Sequence, residues 1–437
     1  MLEPLVPTLR SSFLLMLLNR FLGNKSAILD EILQATASQA DPGDRVLDIF
    51  SGSLAVSMGY KTAGYRVTAN DLNQFSETFG RAYLENSCVP QVNLNSLLDS
   101  SRVRFLRLEA ARYTMCLVGN PGYSFLNDSA QRDHFIDLVA LFKHLELADE
   151  DHVPRDSLRS DFYDYYCPEG RFSGYHSTRG ARGYRRFFTA ENAQRLDLMM
   201  SLIRHWRGER LLTEHVHAVC LAAICSAAEK VANTQGTYHD FIRERWDSRA
   251  LKPMTLVPPP LDDVLGGVGG HIVSREDSST FVRNAGPHRV LYVDPPYNFR
   301  QYSAYYFLPN FICDYPDIVD LDTYLSEIEF VRGQHPSDIT TSPFCSATRF
   351  LEAMDDLLAA ADVESIILSY FTGRNHWSDF DRGRDDTGLE KLTQLLESDI
   401  FVPGSIQVIE IPRRNYASYV GYRARDVTEL LLIANKR

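Results

Sequence analysis

The sequence predicts a doubly wound α/β sheet interrupted by an inserted, mainly helical domain, and three observations carry that prediction. Short apolar runs recur at long intervals, amphipathic helical patterns lie between them, and one central stretch differs in composition from both flanks. At 437 residues the chain exceeds one ordinary domain. Roughly two or three units of about 100 to 200 residues each are expected.

The runs Val46-Leu47-Asp48-Ile49-Phe50, Val290-Leu291-Tyr292-Val293 and Ile366-Ile367-Leu368-Ser369-Tyr370 read as buried parallel strands, apolar almost throughout and ended by polar or Gly/Pro residues. Ile28, Leu29, Ile32 and Leu33, and later Phe350, Leu351, Met354, Leu357 and Leu358, recur at helical spacing, giving the alternation of a doubly wound sheet. Near the N-terminus, Phe13 to Leu18 is too short to span a bilayer and is followed by no small-residue cleavage site, so it predicts a buried helix. From Tyr123 to Pro260 the chain becomes rich in Arg, Tyr and His, with helices expected at Ala190 to Trp206 and Glu214 to Val231. A linker marked by Pro258-Pro259-Pro260 and Gly266-Gly267-Val268-Gly269-Gly270 closes this stretch. The expected division is therefore 1–122 with 265–437 as one domain, and 123–264 as the insertion.

Composition narrows the function classes. Hydrophobic content of 44% with 23% charged residues excludes a disordered or fibrous chain. Seven cysteines, with no Cys-x-x-Cys pair, exclude a secreted disulfide scaffold and point to a reduced, cytoplasmic protein without a membrane span. The net charge of -12 opposes a polyanionic partner overall, yet Arg171 to Arg210 holds nine arginines against three acids, a local balance of +6. Within it, Arg179, Arg182, Arg185 and Arg186 are candidate contacts to phosphate or base edges. His215-Val216-His217 lacks a third ligand nearby, so no metal is expected.

Three segments carry chemistry. Asp48-Ile49-Phe50-Ser51-Gly52-Ser53 follows a strand and opens a helix, where backbone N–H groups can face a ligand. Asp71 ends a second strand-like run 23 residues after Asp48, a spacing at which an acid can accept both ribose hydroxyls of a nucleoside. Asp294-Pro295-Pro296-Tyr297 ends the third apolar strand. The lone pair of an aromatic exocyclic amine is delocalised into its ring, so the nitrogen attacks poorly until it pyramidalises. The Asp294 carboxylate and Pro295 carbonyl can each accept one amine hydrogen and favour that change. Two successive prolines stiffen the turn, and Tyr297 offers a ring for an extruded base, whose stacking is worth roughly 1 to 3 kcal/mol. Asn120-Pro121-Gly122-Tyr123 offers a competing version of the segment, but Gly122 forfeits the stiffness.

On these residues the chain resembles the alpha-group DNA adenine methyltransferases. Asp294-Pro295-Pro296-Tyr297-Asn298-Phe299-Arg300-Gln301-Tyr302 resembles one branch of that family, and Lys230 to Tyr238 resembles a segment that precedes the catalytic motif there. Arg20-Phe21-Leu22-Gly23-Asn24-Lys25 resembles its N-terminal cofactor motif with Asn24 for the second Gly, and Asp48 to Ser53 its next motif with Leu54 where a second Gly is common. The resemblance implies a Rossmann-like S-adenosylmethionine-dependent methyltransferase fold with a target-recognition insertion. Asp294, Pro295, Pro296 and Tyr297 would then be catalytic. Phe21 and Lys25 would line the methionine end of the cofactor, Asp48, Phe50, Gly52 and Ser53 its turn, Asp71 its ribose and Asp277 its adenine. Double-stranded DNA is the implied substrate, with Arg300, Tyr302, Arg413 and Tyr416 as further contacts, and a restriction endonuclease or defence-system subunit as partner. The rivals are an RNA or protein amino-group methyltransferase and a binding protein without turnover; the arginine-rich insertion and the position of the Phe21 to Lys25 motif favour DNA.

Overall fold

The computed structural model describes residues 21–373, 375–377, 386–414 and 426–437. The helix expected at Phe13 to Leu18 and the contact expected at Tyr416 lie outside them. Seven strands form the main sheet: β1 (Arg45–Asp48), β2 (Arg66–Asn70), β3 (Ile272–Ser274), β4 (His288–Val293), β5 (Val363–Phe371), β6 (Gln407–Arg414) and β7 (Asp426–Asn435). Their order across the sheet is β6-β7-β5-β4-β1-β2-β3. Neighbouring pairs from β3 through β5 are parallel, while β7 runs antiparallel to both β5 and β6. Pro412 sits within β6, an edge strand, the place in a sheet that tolerates a residue without an N–H.

Side-chain alternation splits the sheet into two apolar faces. Val46, Val290, Tyr292, Ile367 and Leu431 enter one core; Leu47, Leu291, Val293, Ile366, Leu368 and Leu430 enter the other. Helix Phe350–Ala360 covers the second face with Met354, Leu357 and Leu358. The first core continues without a break into the long insertion through Phe187, Leu196 and Cys220.

The chain leaves the sheet after Asn70 and re-enters it at Ile272. Met115 to Val118, just before Asn120, is the end of helix Ser100–Leu117 and the residue that caps it. Asn120 to Tyr123 is a turn, and Tyr123 donates to the Pro258 carbonyl at 3.0 Å. Asp262 accepts from the backbone of Ser124 and Phe125 at 2.9 and 3.0 Å, so residues 123–262 leave and return at one point. Helices Ala190–Gly208 and Glu214–Val231 stand where the sequence predicts them. After the second helix, buried Asn233 donates to the carbonyls of Arg186, Ile242 and Arg245 and accepts from Asp247 N–H. That single side chain ties the arginine-rich segment to the following hairpin.

Crossovers from β1 run outward to β2 and, after β3, return to β4 beside β1. The carboxyl ends of β1 and β4 therefore border the switch point where α/β sheets hold their ligands.

Candidate active site

The turn after β1 is built tightly. Gly52 has φ +50°, and a Cβ placed on it would lie 2.6 Å from the Phe21 ring. Leu54, at the position where the resembled motif carries glycine, takes the left-handed conformation at φ +66°, a cost of about 1 to 2 kcal/mol; its buried side chain fills the core in return. Asp71 braces this turn from β2. One of its oxygens accepts Gly52 N–H at 2.8 Å, the other Asn73 N–H at 2.9 Å and the Asn73 amide at 2.8 Å. Burial raises the Asp71 pKa against these hydrogen bonds. Asn70 clasps the Glu276 backbone in both directions at 3.1 Å, and Asp277 caps helix Ser278–Asn284 through Ser279 and Thr280 N–H. Asp48 accepts from Ser57 at 2.6 Å on one oxygen, while its other oxygen, buried, has no hydrogen-bond partner. Burial pushes its pKa up to about 7.

At the end of β4, Asp294 meets a charge network. Lys25 Nζ lies 3.2 Å from Asp294 Oδ1, 3.3 Å from the Tyr297 hydroxyl and 3.3 Å from Glu429 Oε2. Arg413 pairs with the other Glu429 oxygen at 2.5 Å. Burial drives the Asp294 carboxyl up and the Lys25 ammonium pulls it back, leaving its pKa at about 6. Burial likewise works against the Lys25 charge, but Asp294 and Glu429 outweigh it and hold the lysine well above its ordinary value. The Tyr297 ring is fixed against Tyr370 and Phe371 at 6.1 and 6.0 Å between centroids.

A cleft of about 860 Å3, open to solvent, runs from Asn70, Asp71 and Asp277 past Asp294 to Tyr297, to a far wall of Gln301, Tyr302 and Ser342. A smaller recess, also open to solvent, adjoins it around Lys25, Asp48, Phe50 and Ser53. Asp294, Phe50, Phe21 and Gly52 border both. The structure thus brings together Phe21, Lys25, Asp48, Phe50, Gly52, Ser53, Asp71, Asp277 and Asp294 to Tyr297.

The DNA contacts expected from sequence separate. Arg179 and Arg182 are exposed on the hairpin Gly174–His176 with Arg182–Tyr184, and Arg186 stacks on Trp246 at 5.5 Å. Arg185 is a correction. It is buried out of reach of a phosphate, and its guanidinium donates to the carbonyls of Phe172, Phe330 and Val331. Arg413 is a second correction, engaged by Glu429 and stacked on Phe371 at 5.3 Å. Tyr302 lies in the cleft wall, donates to the Leu22 carbonyl at 3.3 Å and packs on Phe21 at 5.5 Å. Arg300 stacks on Tyr305 at 6.0 Å. Sequence reasoning missed Glu429, Asn73 and Gln301, whose Oε1 accepts Ser342 N–H at 3.0 Å. For Glu429 one signal existed, an acid inside an otherwise apolar strand.

The seven-stranded, mostly parallel sheet is that of a Rossmann-like methyltransferase fold. The family model for D12 class N6 adenine-specific DNA methyltransferases matches residues 21–367, and the chain belongs to that family. It is 28% identical over 324 residues to Type II methyltransferase M.NlaIII of Neisseria lactamica, covering 74% of this chain and 73% of that one. It is 24% identical to Modification methylase StsI of Streptococcus sanguinis and 24% to Type II methyltransferase M.FokI of Planomicrobium okeanokoites. Those two alignments take in 96% and 95% of this chain but only 52% of each relative, so the chain spans about half their length.

Proposed function

We propose that this protein transfers the methyl group of S-adenosylmethionine to the N6 amine of adenine within a specific DNA sequence, as the modifying half of a restriction-modification or related defence system in the cytoplasm. The observation that carries the reading is Asp294, held by Lys25 at the boundary between the cleft and the recess and followed by a stiff Pro-Pro-Tyr turn. The Asp71 and Asp277 end of the cleft suits the nucleoside of a methyl donor, the recess at Lys25 and Asp48 its amino-acid end, and the Tyr297 end an extruded base. The restriction-modification setting rests on the relatives, which are modification methylases by name. Among the described residues no helix is long and apolar enough to cross a membrane.

The residues fit the cofactor. The unpartnered Asp48 oxygen is an acceptor for an ammonium, Asp71 and Asp277 face the cleft where a nucleoside lies, and the Gly52 turn leaves no room for a side chain. When bound, the sulfonium supplies an electrophilic methyl group. Asp294 and the Pro295 carbonyl then draw the two amine hydrogens aside, so that the nitrogen lone pair points at that methyl. With the donor bound, methyl transfer would leave positive charge on N6 beside the Asp294 carboxylate, which would take the leaving proton. Tyr297 holds the base by stacking. Residues 123–264 serve as the recognition domain, with Arg179, Arg182 and Arg186 toward double-stranded DNA and Arg300 near the mouth of the cleft.

Gly52→Ala drives a methyl group into Phe21 and is expected to weaken cofactor binding by about 10-fold or more, a cost of about 1.4 kcal/mol, measured by equilibrium binding. Arg179→Ala and Arg182→Ala are each expected to reduce the salt slope of DNA binding by about 1 and to weaken binding alike on all sequences. The function itself is tested by expressing the protein in a host lacking adenine methylation and sequencing the genome for methyladenine. One modified motif is the expected result. A bare genome from folded, cofactor-binding protein would turn the reading toward another amine substrate or a binding role.

A further inference from the structure

Glu429 has no part in the chemistry above, yet it is fully buried in β7 among Val427, Leu430 and Leu431. A buried carboxylate is costly unless paired. Arg413, its neighbour on β6, already pairs with it at 2.5 Å, so a structural role alone would not require Glu429 to reach Lys25. It does reach it, at 3.3 Å. The Lys25 ammonium donates to the Tyr297 hydroxyl at 3.3 Å and to Glu429 at 3.3 Å and forms an ion pair with Asp294 at 3.2 Å, so it is gripped from two elements, the turn after β4 and strand β7. Glu429 thus holds the ammonium from the side opposite the Asp294–Tyr297 turn.

We infer that Glu429 is a positioning residue for methyl transfer, which together with Arg413 locks the Lys25 ammonium between the Asp294 carboxylate and the Tyr297 hydroxyl and so keeps Asp294 turned toward the target amine. This rests on the reading of Asp294 given above. The groups facing Asp294 are Lys25, Glu429 and Arg413, with Tyr292, Tyr297, Tyr302 and Asp48 around them. Lys25 and Arg413 stand against Glu429 and Asp294, with Asp48, whose pKa burial pushes up to about 7, as a third carboxyl beyond them. Removing the Glu429 charge leaves an excess cation beside Asp294, which becomes a more acidic carboxylate and a weaker proton acceptor.

The test compares Glu429→Gln with the unaltered protein, using radiolabelled S-adenosylmethionine and genomic DNA from a host lacking adenine methylation, across the acid and neutral pH range. Expected are a fall in kcat on the order of 10- to 100-fold, little change in KM for the cofactor, and an acid limb of the pH profile moved to lower pH. A kcat and limb left in place, or a fall in thermal stability alone, would overturn the proposal. If Glu429→Gln does not fold, Glu429→Gln with Arg413→Met retains the charge balance and takes its place, with a lowered kcat and unchanged limb as the expected outcome. Nuclear magnetic resonance titration of the Lys25 ammonium gives a readout that needs no activity. Its proton should be lost at lower pH in Glu429→Gln, and an unchanged titration counts against the role. Were the unaltered protein to leave DNA unmethylated, the functional reading would fail while this titration still decided whether Glu429 governs Lys25.

Discussion

Replacing Asp294 by Asn is expected to lower kcat by about 100- to 10,000-fold while leaving cofactor affinity nearly intact. The substitution keeps the shape of the side chain and its place beside Lys25, but it exchanges a charged acceptor for a neutral amide. The adenine amine then loses both the pull that pyramidalises it and the base that takes its proton. Single-turnover transfer and equilibrium cofactor binding, measured on the same preparation, separate the two quantities. Equal losses in both would make Asp294 a cofactor ligand. The unaltered protein carries a matching signature in pH. Asp294 must be ionised to accept, and with its pKa at about 6 the rate should fall as pH drops through that value and level off above it.

Lys25→Met should produce the second large effect. Lys25 sits between two carboxylates with 3% of its side chain exposed, and Glu429 has none exposed. Breaking a buried pair by removing one partner costs about 3 to 5 kcal/mol, and because Arg413 still pairs with Glu429, the lower end applies. Denaturant unfolding gives the number. Loss of the cation also removes what holds the Asp294 pKa down, so the acid limb should move to higher pH, and turnover lost at neutral pH should return in part in alkaline buffer. A limb that stays in place would separate Lys25 from the chemistry.

The centre of the sheet was legible because parallel strands buried on both faces are apolar almost throughout, as Val290 to Val293 and Ile366 to Leu368 are. Its edges were not. β3 is three residues long and half-exposed, and β6 contains a proline; neither resembles a buried strand. The motifs at Asp48, Asp71 and Asp294 were legible because each is local, with strand, turn and functional side chain adjacent in the chain. Arginine counting could not distinguish Arg179, exposed on a hairpin, from Arg185, whose guanidinium is buried and donates to three carbonyls. That difference depends on the 330–331 backbone, some 145 residues away. Glu429 escaped for the same reason, since its partner Lys25 is 404 residues distant.

That distance has a consequence during synthesis. A ribosome adds about 5 to 20 residues per second, so Lys25 emerges on the order of tens of seconds before the strand bearing Glu429 exists. Until then its ammonium has at most two of its three partners, and closing so long a loop adds a logarithmic entropic penalty. Nascent chains should therefore fold much of the β1 to β5 sheet before they can lock Lys25, and a chain truncated ahead of β7 should lack the lock altogether. Fragments cut between β5 and β6 would each hold part of the network, making the pair a candidate for a split enzyme whose methylation reports that its two pieces have met.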